Sequence, residues 1–430
     1  MGKFNGKTLL MLGSNIGATD IINYAKANGA YTIAADYYPT ERSAAKRCAD
    51  LALQISTNSL DELSRVIEEH HVNGVLAGIS EFNLLNAMEL SRRHHLPFYC
   101  TRAQWDMIES KDQFRRLCEE NGVPCPKTYF IGKEPDADVF RIIRYPAVLK
   151  PVDACASAGV HICRSEDDLK QHISDAQSCS RKGDVIIEEF VTGNEFTAHY
   201  VISNGKAALA CVDNRYPAFL HSGEVTSIPI ARIYPSIYVQ NYLQKADAAV
   251  RKLAESIGMQ EGILFVQGIH NPESREIRIF EAGLRCAGEA PYRFLSAVTG
   301  ENFIRILADH ALLGSSDYDV NVEKPELDGK CCGIVSFAGK HGTVGSITGL
   351  DETVAKLPDV LEYESRYPVG REVPDTDTLR QLMIRFVILS ESRAAMEQTV
   401  RTLNEQIQVL NTEGEDMTVK FDPARQWNEF

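Results

Sequence analysis

RYPAVLKPVDACASAGVHICRS, residues 144–165, is the stretch of sequence that decides the fold. Residues 147–150 form a short apolar run that ends in Lys150, and residues 160–163 form a second run with strand character. Between the two runs, residues 153–159 are all small after the initial aspartate. The pattern predicts two strands joined by a loop with few side chains, with Lys150 at the end of the first strand.

The loop between these two strands has the composition of a phosphate-binding loop. A loop with few Cβ atoms can turn its backbone N–H groups toward phosphate oxygens, and Lys150 would add a fixed positive charge. It is not a Walker A loop, which opens a helix and carries Gly-Lys-Ser/Thr. An ordinary hairpin with a surface lysine stays open as the alternative, so the rest of the chain must decide.

The composition is that of a globular protein with several domains. Its 430 residues suffice for two to four domains, and 44% hydrophobic with 24% charged residues is an ordinary balance. A net charge of −14 argues against nucleic acid and against an anionic membrane as partners. Without an export signal, an apolar run of 18 residues or CxxC pairs, we expect a cytoplasmic protein with reduced cysteines.

Residues 7–100 alternate short apolar runs with helical patterns, which predicts a parallel, doubly wound unit. Gly13 and Gly17 form a turn into the first helix, and Asp36 follows the second strand. This arrangement would suit NAD with Asp36 on a ribose, but the GxGxxG fingerprint is missing. A turn that lines a substrate cleft, or one that is purely structural, is therefore the favoured interpretation.

Two later segments carry charged residues in positions that suit phosphoryl chemistry. Lys111 lies in the first turn of a helix predicted to run to residue 121, where a cation is favourable only beside an anion. In the hairpin strand that starts near residue 276, a period of two puts one set of side chains on one face, namely Ile277, Ile279, Glu281, Gly283 and Arg285. An acid that can hold Mg²⁺ beside an arginine that can hold an oxyanion fits phosphoryl transfer. A structural Glu–Arg contact is the alternative.

The remaining segments complete the outline of the chain. Residues 213–235 are predicted to form a loop that offers side chains to a ligand, and residues 314–330 are polar and acidic enough to be a linker. Beyond them, short strands and a long helix over residues 392–410 predict a small α+β domain.

With these pieces in order, the chain resembles the ATP-grasp superfamily of carboxylate–amine ligases. It is most similar to L-amino-acid ligases and to stand-alone proteins that resemble carbamoyl-phosphate synthase. The resemblance implies a multidomain chain of α/β and α+β type. Its parts would be a Rossmann-like pre-ATP-grasp domain over 1–100, a two-lobed ATP-grasp domain over 101–313 with the phosphate-loop lobe at about 125–190, and a C-terminal α+β domain over 314–430.

The resemblance also implies a role for each matching residue. The residues at positions that bind the nucleotide are Lys111, Lys150, Asp153, Ser157, Gly159, Glu188, Glu189, Phe190, Val191 and Glu195. Glu188 to Val191 match the hinge that contacts adenine, and Glu195 matches the acid on the ribose. Glu281 matches a Mg²⁺ ligand, and Arg285 matches the arginine that steadies the phosphate. Lys150, Glu281 and Arg285 would be the catalytic residues.

Two departures from the family pattern concern the metal site. Many family members carry an acid at the position of Gln267 and an asparagine at that of Gly283. Gln267 can still offer a carbonyl oxygen to the metal, whereas Gly283 offers no side chain. Metal binding would then depend on Glu281, Gln267, ATP oxygens and water.

The resemblance implies ATP and Mg²⁺ (or Mn²⁺) as cofactors, with a small-molecule carboxylate and an amine as substrates. ATP would convert the carboxylate into an acyl phosphate, which the amine then attacks. A possible homodimer is a further expectation. The alternatives are a carbamoyl-phosphate-synthase-like or glycinamide-ribonucleotide-like ligase, and an ATP-binding regulatory protein without turnover.

Overall fold

A computed structural model describes most of the chain, namely residues 2–154, 158–218, 220, 228–288, 290–376 and 378–426. Five sheets with flanking helices give the mixed α/β, multidomain architecture that the sequence predicts. No helix within these ranges is long and apolar enough to cross a membrane.

The first hundred residues form a parallel four-stranded sheet with the strand order β3-β2-β1-β4. Its elements are β1 (Thr8–Leu12), α1 (Ile16–Ala27), β2 (Tyr31–Ala35), α2 (Ala44–Cys48), β3 (Leu51–Leu53), α3 (Leu60–Glu69), β4 (Gly74–Ala77) and α4 (Glu81–Arg93). The central strands are nearly continuous apolar runs because helices cover both faces of the sheet. This confirms the predicted doubly wound unit.

The next lobe contains the antiparallel sheet β5-β8-β6-β7. Its elements and the two preceding helices are α5 (Arg102–Glu109), α6 (Lys111–Asn121), β5 (Thr128–Gly132), α7 (Ala137–Ile142), β6 (Ala147–Pro151), β7 (His161–Cys163), α8 (Glu166–Ser178) and β8 (Val185–Glu189). Leu149 pairs with His161, so the two strands predicted around the small-residue loop do form a hairpin. A hydrophobic cluster of its own holds this lobe together.

The other lobe is built on the antiparallel sheet β10-β9-β13-β14. The elements of this part of the chain are β9 (Asn194–Ser203), β10 (Lys206–Val212), β11 (Asn214–Ala218), β12 (Ile228–Tyr234), α9 (Val239–Tyr242), α10 (Ala248–Ser256), β13 (Gly262–His270), β14 (Ile277–Gly283), α11 (Tyr292–Thr299) and α12 (Arg305–Leu313). A π-helical turn over Leu243–Asp247 joins α9 to α10.

A β-bulge in β14 corrects the predicted side-chain alternation of that strand. Glu281 pairs with Gln267, but the next pair is Ile279 with Gly268, so Phe280 is the extra residue. A bulge shifts the alternation by one position. Ile279 therefore shares the buried side with Ala282, and the single face predicted for residues 277–285 is broken before Glu281.

The C-terminal part packs a helix on a further sheet. Its elements are β15 (Cys331–Gly339), β16 (Gly342–Thr348), α13 (Leu350–Val354), β17 (Val360–Ser365), β18 (Glu372–Val373), β19 (Leu382–Ser390), α14 (Arg393–Gln406), β20 (Gln408–Asn411), β21 (Thr418–Val419) and α15 (Pro423–Gln426). The helix predicted to reach residue 410 ends at Gln406. The chain leaves the helix there because β20 pairs with β16, which buries Val409.

The prediction of a loop over residues 213–235 is wrong for residues 214–218 and 228–234, whereas residues 219 and 221–227 lie outside the described residues. β11 and β12 lie there, and they extend the C-terminal sheet in the order β11-β12-β15-β19-β17. Ile228, Ile230 and Ile233 are buried in that sheet's core. The sheet therefore takes strands from both sides of the predicted domain boundary at residues 313 and 314, and the boundary itself stays a prediction.

Candidate active site

Three buried charged side chains connect helix α6 with strands β6 and β8. They are Arg115 on α6, Lys150 on β6 and Glu188 on β8. The Lys150 ammonium lies 2.5 Å from one oxygen of Glu188, and Nε of Arg115 lies 2.5 Å from the other. All three side chains are less than a tenth exposed. A second Arg115 nitrogen donates to the Phe280 carbonyl oxygen at 2.9 Å, which ties α6 to β14.

The pKa shifts in this cluster follow from burial and from the charges of its members. Burial alone would raise the pKa of Glu188, but the positive charges of Lys150 and Arg115 lower it overall. Burial lowers the pKa of Lys150, with a further lowering from Arg115, and attraction to Glu188 only partly offsets these effects. An anionic ligand beside Lys150 would favour its charged form.

The base of the predicted phosphate loop is fixed on both sides. Lys111 Nζ donates to the Ala154 carbonyl oxygen at 2.8 Å, so the predicted nucleotide lysine lies next to this loop. The Asp153 carboxylate accepts from Ser180 Oγ at 2.7 Å and from the Arg181 backbone N–H at 3.1 Å, so this acid holds the loop's base.

The surroundings of Gly159, at the end of this loop, explain why a small residue is needed there. Gly159 has φ +68°, and a Cβ there would lie 3.0 Å from both Pro151 and Cys179 side chains. A larger residue would therefore be strained by both conformation and contact. Ser157, also predicted to contact the nucleotide, lies outside the described residues.

The predicted hinge follows β8. Glu189 accepts from the Lys127 backbone N–H at 3.2 Å, and Phe190 and Val191 are partly buried in the connection to β9. Glu195, the predicted ribose acid, lies near the start of β9 with a carboxylate oxygen 3.1 Å from Arg215. The nucleotide-binding roles of these residues stay predictions.

Gln267 and Glu281, the predicted metal ligands, are directly opposite each other on β13 and β14. Both side chains are only partly buried. Within the described ranges no three His, Cys, Asp or Glu residues group as a metal site. A carboxylate and an amide oxygen suit Mg²⁺, which commonly uses one or two protein oxygens together with phosphates and water.

Glu109, which the sequence interpretation missed, lies close to this pair. Its pKa is raised to about 8, first by burial and then by the negative charges of Glu81 and Glu281, with Arg285 and Lys111 opposing. Carboxylates that repel one another in this way form a place that a divalent cation would stabilise. The residues present therefore fit Mg²⁺, with Glu281 and Gln267 as the side chains that would hold it.

Arg285 and Gly283 are organised around the ring of Phe265. The Arg285 guanidinium lies 4.8 Å from the ring centroid, and its Nη2 donates to Glu81 at 2.8 Å. Phe265 is also the ladder partner of Gly283, and a Cβ at position 283 would lie 2.6 Å from two ring carbons. The ring thus occupies the space that a side chain at position 283 would need.

A cavity of about 800 Å³ opens beside these residues. Phe265, Gln267 and Arg285 line one part of it. The turn before α1, the segment around α2 and strands β12, β15, β17 and β19 line other parts. Its size suits a small-molecule substrate. The turn at Ser14 and Asn15 is therefore part of a cleft, as the favoured interpretation of that segment allowed.

Asp36 does not have the surroundings that a dinucleotide acid needs. It is 3% exposed, accepts from Ser43 Oγ at 2.6 Å and lies 3.1 Å from Lys46 Nζ. Its carboxylate is thus occupied by protein groups, and the NAD interpretation loses its support.

Comparison with known proteins agrees with the geometry of this site. Residues 143–291 match the model of the ATP-grasp domain. The carbamoyl phosphate synthase large chain of Saccharolobus islandicus is 25% identical over 316 residues, which are 70% of this chain and 28% of that protein. The enzyme of the same name from Clostridium beijerinckii is 26% identical over 282 residues, 62% of this chain and 25% of that protein. The chain thus spans only about a quarter of the length of these relatives.

Solved structures show the same fold over nearly the whole chain. Phosphoribosylglycinamide synthetase from Anaerococcus prevotii superposes with a TM-score of 0.74 at 15% identity, covering 94% of this chain and 99% of that one. L-amino acid ligase from Bacillus licheniformis gives 0.74 at 16% identity, covering 95% and 99%. The MgADP-bound biotin carboxylase domain of Hydrogenobacter thermophilus 2-oxoglutarate carboxylase gives 0.72 at 16% identity, covering 94% and 90%.

The chain therefore carries an ATP-grasp domain over residues 143–291 and resembles the ATP-grasp enzymes. These enzymes, among them ligases and carboxylases, form carbon–nitrogen bonds and use ATP and Mg²⁺. The resemblance stated from the sequence motifs is thereby confirmed.

Proposed function

We propose that the protein is an ATP-dependent carboxylate–amine ligase that forms an amide bond through an acyl phosphate. The observation that carries the proposal is the position of the Gln267–Glu281 pair and Arg285. Gln267 and Arg285 line the large cavity, while Glu281 shares a network of charges with Glu109 and Lys111. The cavity therefore adjoins the groups that suit a nucleotide's phosphates.

The reaction would proceed in two displacements. A carboxylate oxygen of the substrate attacks the γ-phosphorus of ATP, the bond to the β-phosphate bridging oxygen breaks, and ADP leaves. The amine then attacks the acyl carbon, the carbon–oxygen bond to phosphate breaks, and phosphate leaves. The amine nitrogen loses a proton as the amide forms.

The chain's own residues supply alignment and charge for these steps. Lys111 and Lys150 would neutralise phosphate oxygens, and Arg285 would hold the carboxylate or the phosphate leaving group. Arg285 already has a fixed direction because it stacks on Phe265 and pairs with Glu81. Prior alignment of this kind is the main contribution a protein can make to phosphoryl transfer.

The test is release of ADP and phosphate with MgATP and a pool of carboxylates and amines. We expect release that needs one member of each class, and its loss by a factor of about 100 or more in Glu281→Ala. Glu276→Ala is the matched control. Glu276 is an exposed acid directly before the same strand, and it forms an ion pair with Arg278. Undiminished release in Glu281→Ala would remove Glu281 from the metal site.

Two alternatives have their own supporting observations. Sequence similarity to carbamoyl phosphate synthase favours bicarbonate as the carboxylate, so bicarbonate-dependent ADP release would point to that reaction. A phosphorylated amine as the second substrate would point instead to a glycinamide-ribonucleotide-like ligase, in keeping with the fold match to phosphoribosylglycinamide synthetase. The phenylalanine ring against Gly283 favours an ATP-binding protein without turnover, in which ATP stabilises the fold and is not consumed.

The predicted cytoplasmic location, the possible homodimer and the absence of a nucleic-acid partner stay predictions.

A further inference from the structure

The large cavity is rich in arginine, although the protein as a whole is acidic. Seven of its lining residues are arginines and two are glutamates, and none of the described ones is a lysine. The whole chain has a net charge of −14. Positive charge is therefore concentrated in this one concave surface, which favours entry of anions over cations.

Four of these arginines are matched by carboxylates of the protein. Arg232 pairs with Asp213, Arg285 with Glu81, Arg293 with Asp20 and Arg366 with Glu364, at distances from 2.6 to 3.1 Å. Their charges are at least partly balanced before any ligand enters. These four arginines can position a ligand, but they do not require an anionic ligand to balance their charge.

Arg385 is a buried residue of β19, and Arg42 and Arg47 differ from all five of these arginines. Both are exposed cavity residues, and neither has a carboxylate within ion-pair distance in the described part of the chain. Each is nevertheless held in place. The Arg42 guanidinium stacks on the Tyr38 ring at 4.9 Å, and Arg47 Nη1 donates to the Glu41 carbonyl oxygen at 2.8 Å. Two oriented, uncompensated guanidinium groups thus lie on one short segment around α2.

The use of arginine narrows the chemistry of the ligand. A guanidinium presents a planar set of donors that matches the two oxygens of a carboxylate or phosphate, which a lysine cannot do. Arg42 and Arg47 come from the N-terminal domain, whereas Gln267 and Arg285 come from the ATP-grasp lobe. A substrate that contacts both regions would present an anionic group to each of them.

We propose that the carboxylate substrate carries a second anionic group, a carboxylate or a phosphate, which Arg42 and Arg47 bind while the first is activated beside Arg285. This inference rests on the proposed ligase function and specifies the substrate class for the same site. It makes Arg42 and Arg47 specificity residues, which bind a group other than the one that reacts.

The test measures binding, so that it does not depend on turnover. Propionate, succinate, propane-1,2,3-tricarboxylate and 3-phosphonopropionate are titrated calorimetrically into the protein with MgADP, at equal ionic strength because salt screens exposed charges. We expect succinate or 3-phosphonopropionate to bind at least about tenfold more tightly than propionate. Which of the two binds more tightly distinguishes a second carboxylate from a phosphate, and a further gain with the tricarboxylate would show that more than one extra group is bound.

The variant Arg42→Gln/Arg47→Gln should reduce this preference to less than about threefold while propionate binding stays the same. Arg92→Gln/Arg401→Gln removes the same charge at exposed positions outside the cavity and should keep the preference. Equal or undetectable binding of all probes to the wild type would overturn the proposal. A preference that persists in the Arg42→Gln/Arg47→Gln variant would also overturn it.

Failure of the underlying function is recognised separately. Thermal stabilisation by MgATP is recorded on the same samples, and its absence would refute the ligase while the anion series still reports on the cavity. Stabilisation by MgATP without any preference for dianions would refute only the present inference.

Discussion

The nucleotide half of the site and the arginine-rich cavity use positive charge in opposite ways. Lys150 and Arg115 are buried and share one carboxylate, Glu188. Arg42 and Arg47 are exposed, and no described carboxylate pairs with them. Because Lys150 and Arg115 are buried, their charges must be balanced by Glu188 for the fold to be stable. Arg42 and Arg47 are exposed, so water can solvate their charges until a ligand displaces that water. The first region suits a cofactor common to a family, and the second suits a substrate that can differ between members.

The largest effect that this comparison predicts is at Glu188. Glu188→Gln removes the charge that compensates two buried cations, so the free energy of unfolding should fall by about 3–5 kcal/mol. Chemical denaturation monitored by circular dichroism measures the change. Glu276→Gln, which breaks an exposed pair, should cost at most about 1 kcal/mol.

A triple variant separates stability from function in the same cluster. Arg115→Met/Lys150→Met/Glu188→Leu replaces all three charges by apolar groups and should regain most of the stability that Glu188→Gln loses. It should nevertheless lose ATP-induced stabilisation, because Lys150 is gone. If Glu188→Gln cost no more than the exposed control, the cluster would not be the dry, coupled network described above.

The second prediction concerns the pH dependence of stability at Glu109. Its pKa is raised from the ordinary 4.5 to about 8 in the folded protein, so the folded state holds one more proton than the unfolded state between those values. The free energy of unfolding should therefore decrease as pH rises through that range, by about 1.4 kcal/mol for each unit of the shift. Above about pH 8 the full loss is present.

The variant Glu109→Gln isolates that dependence. Without metal, its stability relative to the wild type should grow steadily from pH 4.5 to 8, because glutamine does not titrate. Glu120→Gln, at an exposed position of α6, is the control for loss of a carboxylate. A difference that does not change with pH would mean that Glu109 ionises as an ordinary glutamate.

The third prediction tests the contact between Phe265 and Gly283. Gly283→Asn would place its Cβ 2.6 Å from the ring, and the ring is confined by the stacked Arg285. Overpacking should lower the free energy of unfolding by about 1–2 kcal/mol. In a Phe265→Ala background the same substitution should cost clearly less, which a double-mutant cycle by denaturation would measure.

Gly288→Ala is the control for this cycle, since only Ile79 lies within 4 Å of a Cβ there, at 3.7 Å. It should change stability by less than about 0.5 kcal/mol in both backgrounds. Equal costs of Gly283→Asn in both backgrounds would show that the ring is not what excludes a side chain at position 283.

The nucleotide half was largely predictable from sequence because its signals are local. The apolar run before Lys150, the small-residue loop and the second strand lie within 22 consecutive residues, and the hairpin forms as predicted. Lys111 was placed at the start of a helix, where the structure has it. Arg115 lies on the same helix beside buried Phe114, so a charge on an apolar face was the available signal for it.

The cavity was not predictable because its walls meet only in three dimensions. β12 pairs with β15, about a hundred residues further along the chain, so neither segment alone shows that they form one wall of the cavity. The bulge at Phe280 likewise depends on the partner strand, and it reversed the inferred alternation. The raised pKa of Glu109 depends on charged residues from other segments, among them Glu81 and Glu281. The periodicity of a single segment does not reveal such contacts.

The smallest expected effect, in the cavity, completes the comparison. Arg42→Gln/Arg47→Gln should change the free energy of unfolding by less than about 0.5 kcal/mol, because both guanidinium groups are exposed. Lys46→Met, in the same helix, should cost several times more because that lysine is buried beside Asp36. Denaturation curves of the two variants measure the contrast. If the variant keeps its stability, a ligand explains why Tyr38 and Glu41 orient these two arginines. A large loss in the free energy of unfolding would instead make the arginines structural and would remove the contrast between the two regions.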